Sequence, residues 1–190
     1  RVSAQKGAKM IYRSEQMEEQ AVLQAAAQMC AAARTAPKAK GIDEICTVVL
    51  TGKEKEILAE KMEEIGERDF GANAADWYLR DAQNVKDAQA VVLIGVKKEY
   101  RGIAGCSFCG FDNCGACKQE GGRCAFGYVD LGIALGSAAA VAADARIDNR
   151  IMFSAGKAWM EMGKSLKDTA WQGIALSAAG KNIFFDRKKK

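Results

Sequence analysis

The stretch "FGYVDLGIALGSAAAVAADARIDNRIMFSAG", residues 126–156, decides how this chain is read. Its first two-thirds are small, apolar and free of proline, which predicts one long helix from Phe126 to about Ile147. The run Ala125 to Ala143 contains Asp130 and reads as a buried helix rather than a membrane span. Gly132, Gly136 and Ala140 recur every four residues, so one face is small enough for another helix to come close. Tight core packing and a seam between two copies would both give that stripe. Asp130 lies near the helix start, where the dipole favours a carboxylate and a capping role is expected; a place beside a bound group is the sharper alternative. After the helix, "NRIMFSA" (149–155) predicts a strand, "GKAWMEMGKSL" (156–166) a helix and "GIALSA" (173–178) a last strand. Asp144, Asp148 and Arg150 fall at a turn and are expected to bond locally.

Working towards the N-terminus, "AQAVVLIGV" (88–96) is a continuous apolar run of strand length, expected at the centre of a sheet. Residues 72–85 read as a helix, with Trp77, Tyr78 and Leu79 for packing and with Arg80 and Asp81 pairing or capping. "KEKEILAEKMEEIGE" (53–67) is an amphipathic surface helix whose charges invite i,i+4 pairing. "ICTVVLT" (45–51) is β-branched and predicts a buried strand in which Cys46 is structural. Glu15 to Ala36 reads as a helix capped by Ser14 and ended by Pro37, with Cys30 as a core filler. Helices and strands alternate without a linker or repeat, so residues 1–190 are expected to form a single α/β or α+β domain.

Composition narrows the chemistry. The chain holds 49% hydrophobic and 27% charged residues and can bury a core without disulfides. It has no histidine, which excludes Ser-His-Asp and Cys-His catalysis, Cys₂His₂ fingers and Rieske centres. The formal charge is +4, and Arg187 to Lys190 carry all of it, so a solvated basic tail is expected rather than a nucleic-acid surface. The opening RVSAQKGAKMIYRSEQ lacks the apolar core of a signal peptide, and a cytoplasmic location is expected.

Five of the seven cysteines lie in "RGIAGCSFCGFDNCGACKQEGGRCAF" (101–126), at Cys106-x2-Cys109-x4-Cys114-x2-Cys117-x6-Cys124. Each CxxC turn points two sulfurs to one side, so two such turns can converge on one centre. Flanking glycines let backbone fold closely around it. Cys109-x4-Cys114-x2-Cys117 matches the start of plant-type [2Fe–2S] spacing, and Cys106-x2-Cys109 that of the bacterial [4Fe–4S] run. An iron–sulfur cluster, expected to be [4Fe–4S], is the favoured reading. The preferred ligands are Cys106, Cys109, Cys114 and Cys124, with Cys117 as spare or substitute. A Cys₄ zinc knuckle serving docking or dimerisation is the second reading. A thiol redox sensor, cycling between dithiol and disulfide, is the third.

These residues carry a resemblance. "CSFCGFDNCGACKQEGGRCAFGYVDLGIALGSAAAVAADARIDNRIMFSAG", "AAARTAPKAKGIDEI", "LRDAQNVKDAQAVVLIG" and "GKNIFFDR" resemble an uncharacterised prokaryotic family of ferredoxin-domain-containing proteins, over most of residues 15 to 187. Beneath it, the order of helix, "AAARTAP", strand, helix, strand, insert, long helix and "RIMFSAG" is similar to flavin-dependent nitroreductases. That resemblance implies an α+β fold, a mixed sheet of antiparallel type surrounded by helices, with the cysteine loop inserted before the central helix. It also implies a homodimer seam along that helix, FMN at the dimer interface and transfer of electrons to a redox partner protein. Its phosphate-binding residues fall on Arg13, Ser14, Lys38, Lys40, Lys181 and Arg187, with Lys38 and Lys40 standing where that family shows Ser and Asn. Solvated surface charge is the plainer reading of all six.

Overall fold

The computed structural model describes residues 11–74 and 76–185. In chain order its helices are α1 (Ser14–Thr35), α2 (Gly52–Ala74), α3 (Asp76–Asp87), α4 (Cys114–Gln119), α5 (Ala125–Asp144) and α6 (Phe153–Glu161). Its strands are β1 (Ile45–Leu50), β2 (Ala90–Lys97), β3 (Asp148–Met152) and β4 (Thr169–Ser177). They form one sheet in the order β1-β2-β4-β3, with every pair antiparallel. The class is α+β, as expected, although the sheet is wholly antiparallel rather than mixed.

The unbroken apolar run of β2 has a direct cause: helices cover both faces of the sheet. Ala90, Val92, Ile94 and Val96 meet Val22, Ala26 and Met29 of α1 and Leu131, Ala134 and Ala138 of α5. Val91 and Leu93 point the other way, into the cluster formed by α2, α3 and α6. The period-2 alternation of a strand therefore serves two cores at once. Tyr78 of α3 is fully buried there, its hydroxyl donating to the Ser154 carbonyl at 3.3 Å; burial pushes that phenol up to about 12. Cys30 packs at the edge of the α1/α5 core, and the half-buried Cys46 thiol donates to the Gly95 carbonyl at 3.4 Å.

Several boundaries differ from the sequence reading. The stretch "NRIMFSA" leaves the sheet at Met152, and Phe153 begins α6. The start of α6 lies directly on β4: a Cβ added to Gly156 would stand 2.0 Å from the Trp171 carbonyl oxygen. β4 begins at Thr169, earlier than expected, because Trp171 pairs with Gly95 across the sheet and covers it. A Cβ on Gly95 would meet the indole at 2.5 Å. Arg13, not Ser14, caps α1, its backbone N–H donating to Gln16 Oε1 at 3.1 Å. The stripe on α5 is not pressed into the core, since a Cβ on Gly132 or Gly136 would meet nothing within 4 Å. The buried side of α5 is instead Leu131, Ala134, Leu135, Ala138 and Ala142.

Two polar clusters fasten the lower layer. Asp81 of α3 accepts from Ser154 Oγ at 2.9 Å and from Arg80 at 3.3 Å, with Arg150 at 3.8 Å. Arg150 is not confined to its own turn: it donates to the Phe184 carbonyl at 3.2 Å and covers the Phe185 ring, holding the residues after β4 against β3. On the far side, Glu161 of α6 accepts from Arg68 of α2 at 2.9 Å and from Lys157 at 2.8 Å. These cations lower its carboxyl from 4.5 to about 2. A depressed carboxyl stabilises the fold above its unfolded pKa, and that contribution fades as pH falls from about 4.5 to about 2. Glu161→Gln is therefore expected to cost about 1 kcal/mol at pH 7. The difference from the parent chain should vanish near pH 2 in urea titrations; a pH-independent difference would contradict the pairing.

Candidate metal centre

The insert leaves the sheet after β2 and returns at α5, and its two stems are joined by side chains. On the outgoing stem, Lys98 Nζ donates to the Gly121 carbonyl at 2.8 Å and Tyr100 Oη to the Gly122 carbonyl at 2.8 Å. Arg101 follows, only 1% exposed. Its Nη2 and Nε both donate to Asp130 Oδ2, at 2.8 and 3.2 Å, and Asp130 is 2% exposed. The other carboxylate oxygen accepts from the backbone N–H of Ala39 at 2.9 Å. Asp130 is thus neither a cap nor a surface group but a buried bridge between three segments. Breaking a buried pair by removing one member typically costs 3–5 kcal/mol, because the remaining charge stays desolvated.

Between the stems, local hydrogen bonds fold the cysteines inward. Gly110, at φ +83, closes the first turn by donating to the Ser107 carbonyl at 2.9 Å. A side chain at this position would be strained, which is why glycine follows Cys109. Asn113 caps α4, its Oδ1 accepting from Ala116 N at 3.0 Å, which places Cys114 and Cys117, three residues apart, on one side of the same helical turn. Gly122 packs on Cys117, where a Cβ would meet Sγ at 2.9 Å.

The five thiols take two kinds of position. Cys106, Cys109, Cys114 and Cys124 line one pocket together with Ile103, Phe108, Phe111 and Phe126. Phe108 is 66% exposed and leans on Phe126 with ring centroids 5.5 Å apart, forming an apolar roof over that pocket. Cys117 is fully buried and is not among the pocket-lining residues. Burial pushes its thiol up, and hydrogen-bonding contact with Cys109 and the nearby Cys124 and Cys114 add to the rise. Burial likewise raises the Tyr100 phenol, which stands near Cys117 and Cys124. All seven cysteines are free thiols.

The donor set suits a sulfur-ligated group and nothing harder. A single tetrahedral zinc, with Zn–S bonds near 2.3 Å, needs its sulfurs drawn to about 3.8 Å of one another. Among the described residues no three Cys, Asp or Glu side chains are gathered so as to hold one ion.

The six cations and hydroxyls suggested for a flavin phosphate divide between two ends. Arg13 and Ser14 begin α1, while Lys38 and Lys40 follow its last turn. At 1.5 Å per residue those ends are about 33 Å apart. Lys38 is turned inward: its side chain is 6% exposed, and Nζ donates to the carbonyls of Ala33, Arg34 and Ala36 at the α1 C-terminus. That contact corrects its reading as a solvated surface charge. Lys40 is exposed and reaches the Gly102 carbonyl at 3.4 Å, beside the insert. Lys181 follows β4 near an open cleft shared by Glu18 of α1 and Gly180, at the end opposite the cysteines. Arg187 lies outside the described residues.

Sequence reasoning did not select Lys98, Tyr100 or Arg101. No spacing links Arg101 to a carboxylate 29 positions away. The one available signal was Asp130 within an otherwise apolar helix, which demands a partner once buried.

Comparison with known proteins bears on the family and the fold. Residues 120–187 fit the family model described as uncharacterized protein containing a ferredoxin domain (DUF2148). An uncharacterized protein of Archaeoglobus fulgidus is 40% identical over 192 residues, covering 95% of this chain and all of that one. Among solved structures, a nitroreductase with bound FMN from Desulfitobacterium hafniense superposes with a TM-score of 0.56 at 19% identity, covering 90% of this chain and 81% of its own. A BluB-like flavoprotein from Clostridium difficile gives 0.54 at 19%, covering 88% and 85%. The fold is therefore nitroreductase-like, and this chain belongs to the family of uncharacterized proteins that contain a ferredoxin domain.

Proposed function

We propose that this chain is an iron–sulfur electron-transfer protein built on a nitroreductase-like scaffold, with a [4Fe–4S] cluster held by Cys106, Cys109, Cys114 and Cys124. One observation carries the reading: these four thiols share one apolar-roofed pocket, while the fifth, Cys117, is fully buried behind it in contact with Cys109. A bound cluster supplies one-electron transfer. The chain's own residues hold it and tune it. Thiolates provide the ligands, backbone N–H groups of the glycine-rich turns provide hydrogen bonds, and Ile103, Phe108 and Phe126 limit water. The family's ferredoxin domain supports this chemistry. Zinc held by the same thiols is the second reading, and metal identity separates the two. Thiolate ligation of a cluster suits a reducing compartment, and the cytoplasm is the location proposed with it.

FMN and a homodimer extend the proposal. The two structural neighbours named above are flavoproteins, one with FMN bound. In this chain Arg13 and Ser14 begin α1 and Lys40 follows its last turn, so a flavin site that uses both ends draws on two copies. The outward face of α5, with Tyr128, Val129 and Ile133 exposed beside the glycine stripe, is the seam we propose. This helix has a mean hydropathy of 1.5, high enough for a membrane span, and only 39% of that window is buried. A second copy would cover the remainder.

The test is anaerobic purification, followed by iron, sulfide, zinc and flavin quantitation and a mass measurement on one sample. About four irons and four sulfides per chain are expected, in a particle of twice the chain mass. Stoichiometric zinc without sulfide would overturn the electron-transfer reading, and flavin-free protein that does not bind added FMN would remove the flavin.

A further inference from the structure

The cysteine insert is closed at its base by contacts between its two stems. Lys98 and Tyr100 on the outgoing stem hold the Gly121 and Gly122 carbonyls on the returning stem. Below them, Arg101 and Asp130 make a fully buried pair between residues 29 positions apart. Asp130 in turn holds Ala39 N, in the turn that follows α1, and Lys40 of the same turn reaches Gly102. Three segments distant in sequence therefore meet on one guanidinium–carboxylate contact.

We propose that Arg101 is the positioning residue of the insert: with Asp130 it locks both stems and the turn after α1, so that the pocket thiols face one another before the metal group arrives. The proposal rests on the reading of the loop as the holder of that group. A long flexible loop must lose chain entropy to bring its ligands together. Sites that lack such support fold only when metal binds. A guanidinium fork directing two N–H groups at one carboxylate oxygen fixes orientation as well as distance, and a lysine ammonium cannot reproduce it. The geometry matches: Nε and Nη2 both address Asp130 Oδ2, leaving Oδ1 for Ala39. Nη1 has no partner among the described residues, so no other contact on Arg101 compensates if Asp130 is lost. The insert itself contributes exposed Lys118 and half-buried Arg123, which report on its order as protease sites.

The experiment uses the full chain, stripped of metal by a chelator and then given ferrous iron and sulfide anaerobically. It compares the parent with Arg101→Lys, Arg101→Met and the double variant Arg101→Met/Asp130→Leu. The double variant removes both buried charges, so it stays folded even if the single Met variant does not. In the metal-free parent, trypsin is expected to cut slowly after Lys118 and Arg123. In the double variant those two bonds should open at least tenfold faster at a near-parent thermal midpoint, and the cluster spectrum should develop at least tenfold more slowly; Arg101→Met should show both effects at a lowered midpoint, because it leaves Asp130 unpaired. The Lys variant should fall between. The fraction that Arg101→Met does load should show a shifted reduction potential; a merely structural role would lower the loaded fraction and leave the potential unchanged. Parent-like uptake and parent-like protection in the double variant would overturn the proposal. If the parent itself takes up no iron and sulfide, the electron-transfer reading fails, and the trypsin arm still decides whether Arg101 orders the loop.

Discussion

Serine at Cys106, Cys114 or Cys124 is expected to reduce iron and sulfide per chain at least tenfold after anaerobic purification, while Cys117→Ser leaves both near the parent level. The reason is position. The first three thiols line the roofed pocket, and Cys117 is buried outside its lining. A cluster with one ligand missing is exposed to solvent at that iron and is readily lost. Cys109→Ser is expected to be the mild member of the set, keeping an intermediate iron content. Cys117 is in hydrogen-bonding contact with Cys109 and can move into its place. The double variant Cys109→Ser/Cys117→Ser should then be as empty as Cys114→Ser. Iron loss in Cys117→Ser with retention in any of Cys106, Cys114 or Cys124 would show that the ligand set is different.

Gly156→Ala is expected to lower the thermal midpoint by roughly 10 °C, through a loss of about 3 kcal/mol or more. A methyl group there would stand 2.0 Å from the Trp171 carbonyl oxygen and 2.4 Å from its carbon. Both are backbone atoms in a central strand paired to β2 and β3, so no rotamer change relieves the overlap. Either α6 lifts from the sheet or β4 bends, and both open the core around Trp159, Ala155 and Leu93. Gly180→Ala is the control. It adds the same methyl where nothing lies within 4 Å, away from the proposed α5 seam, and should change stability by less than about 0.5 kcal/mol. Urea titration of the two variants separates the cases. Equal losses would contradict the overlap between α6 and β4.

Much of the fold was legible because one signal dominated each segment. The apolar run of β2, the heptad-like pattern of α1 and the small-residue length of α5 each exceed what any competing conformation could accommodate. Boundaries failed where tertiary contact overrode local preference. Phe153–Ala155 looked like strand and forms helix because β4 lies against it, and Thr169–Gln172 looked like loop and forms strand because Trp171 has Gly95 to cover. In the candidate site, the spacing of the cysteines pointed to their shared purpose, since CxxC turns fix neighbouring sulfurs by covalent geometry alone. The preferred four are the four that line the pocket. The suggested phosphate ligands fared differently. Lys38 looked free and is taken up by the carbonyls at the end of its own helix, a local need that charge counting does not register.

The sequence by itself determined the chemistry available to this protein: sulfur ligation without histidine, on a helix-and-strand frame with a glycine-rich loop before its longest apolar helix. Only the tertiary structure decided how that loop is held. Arg101, Asp130 and Ala39 are strangers in sequence, and their meeting follows from antiparallel packing of α1 against α5, which brings the end of one helix to the start of the other. Burial then turns two ordinary surface charges into a contact that neither can leave, because an unpaired charge at that depth is far less stable than the pair.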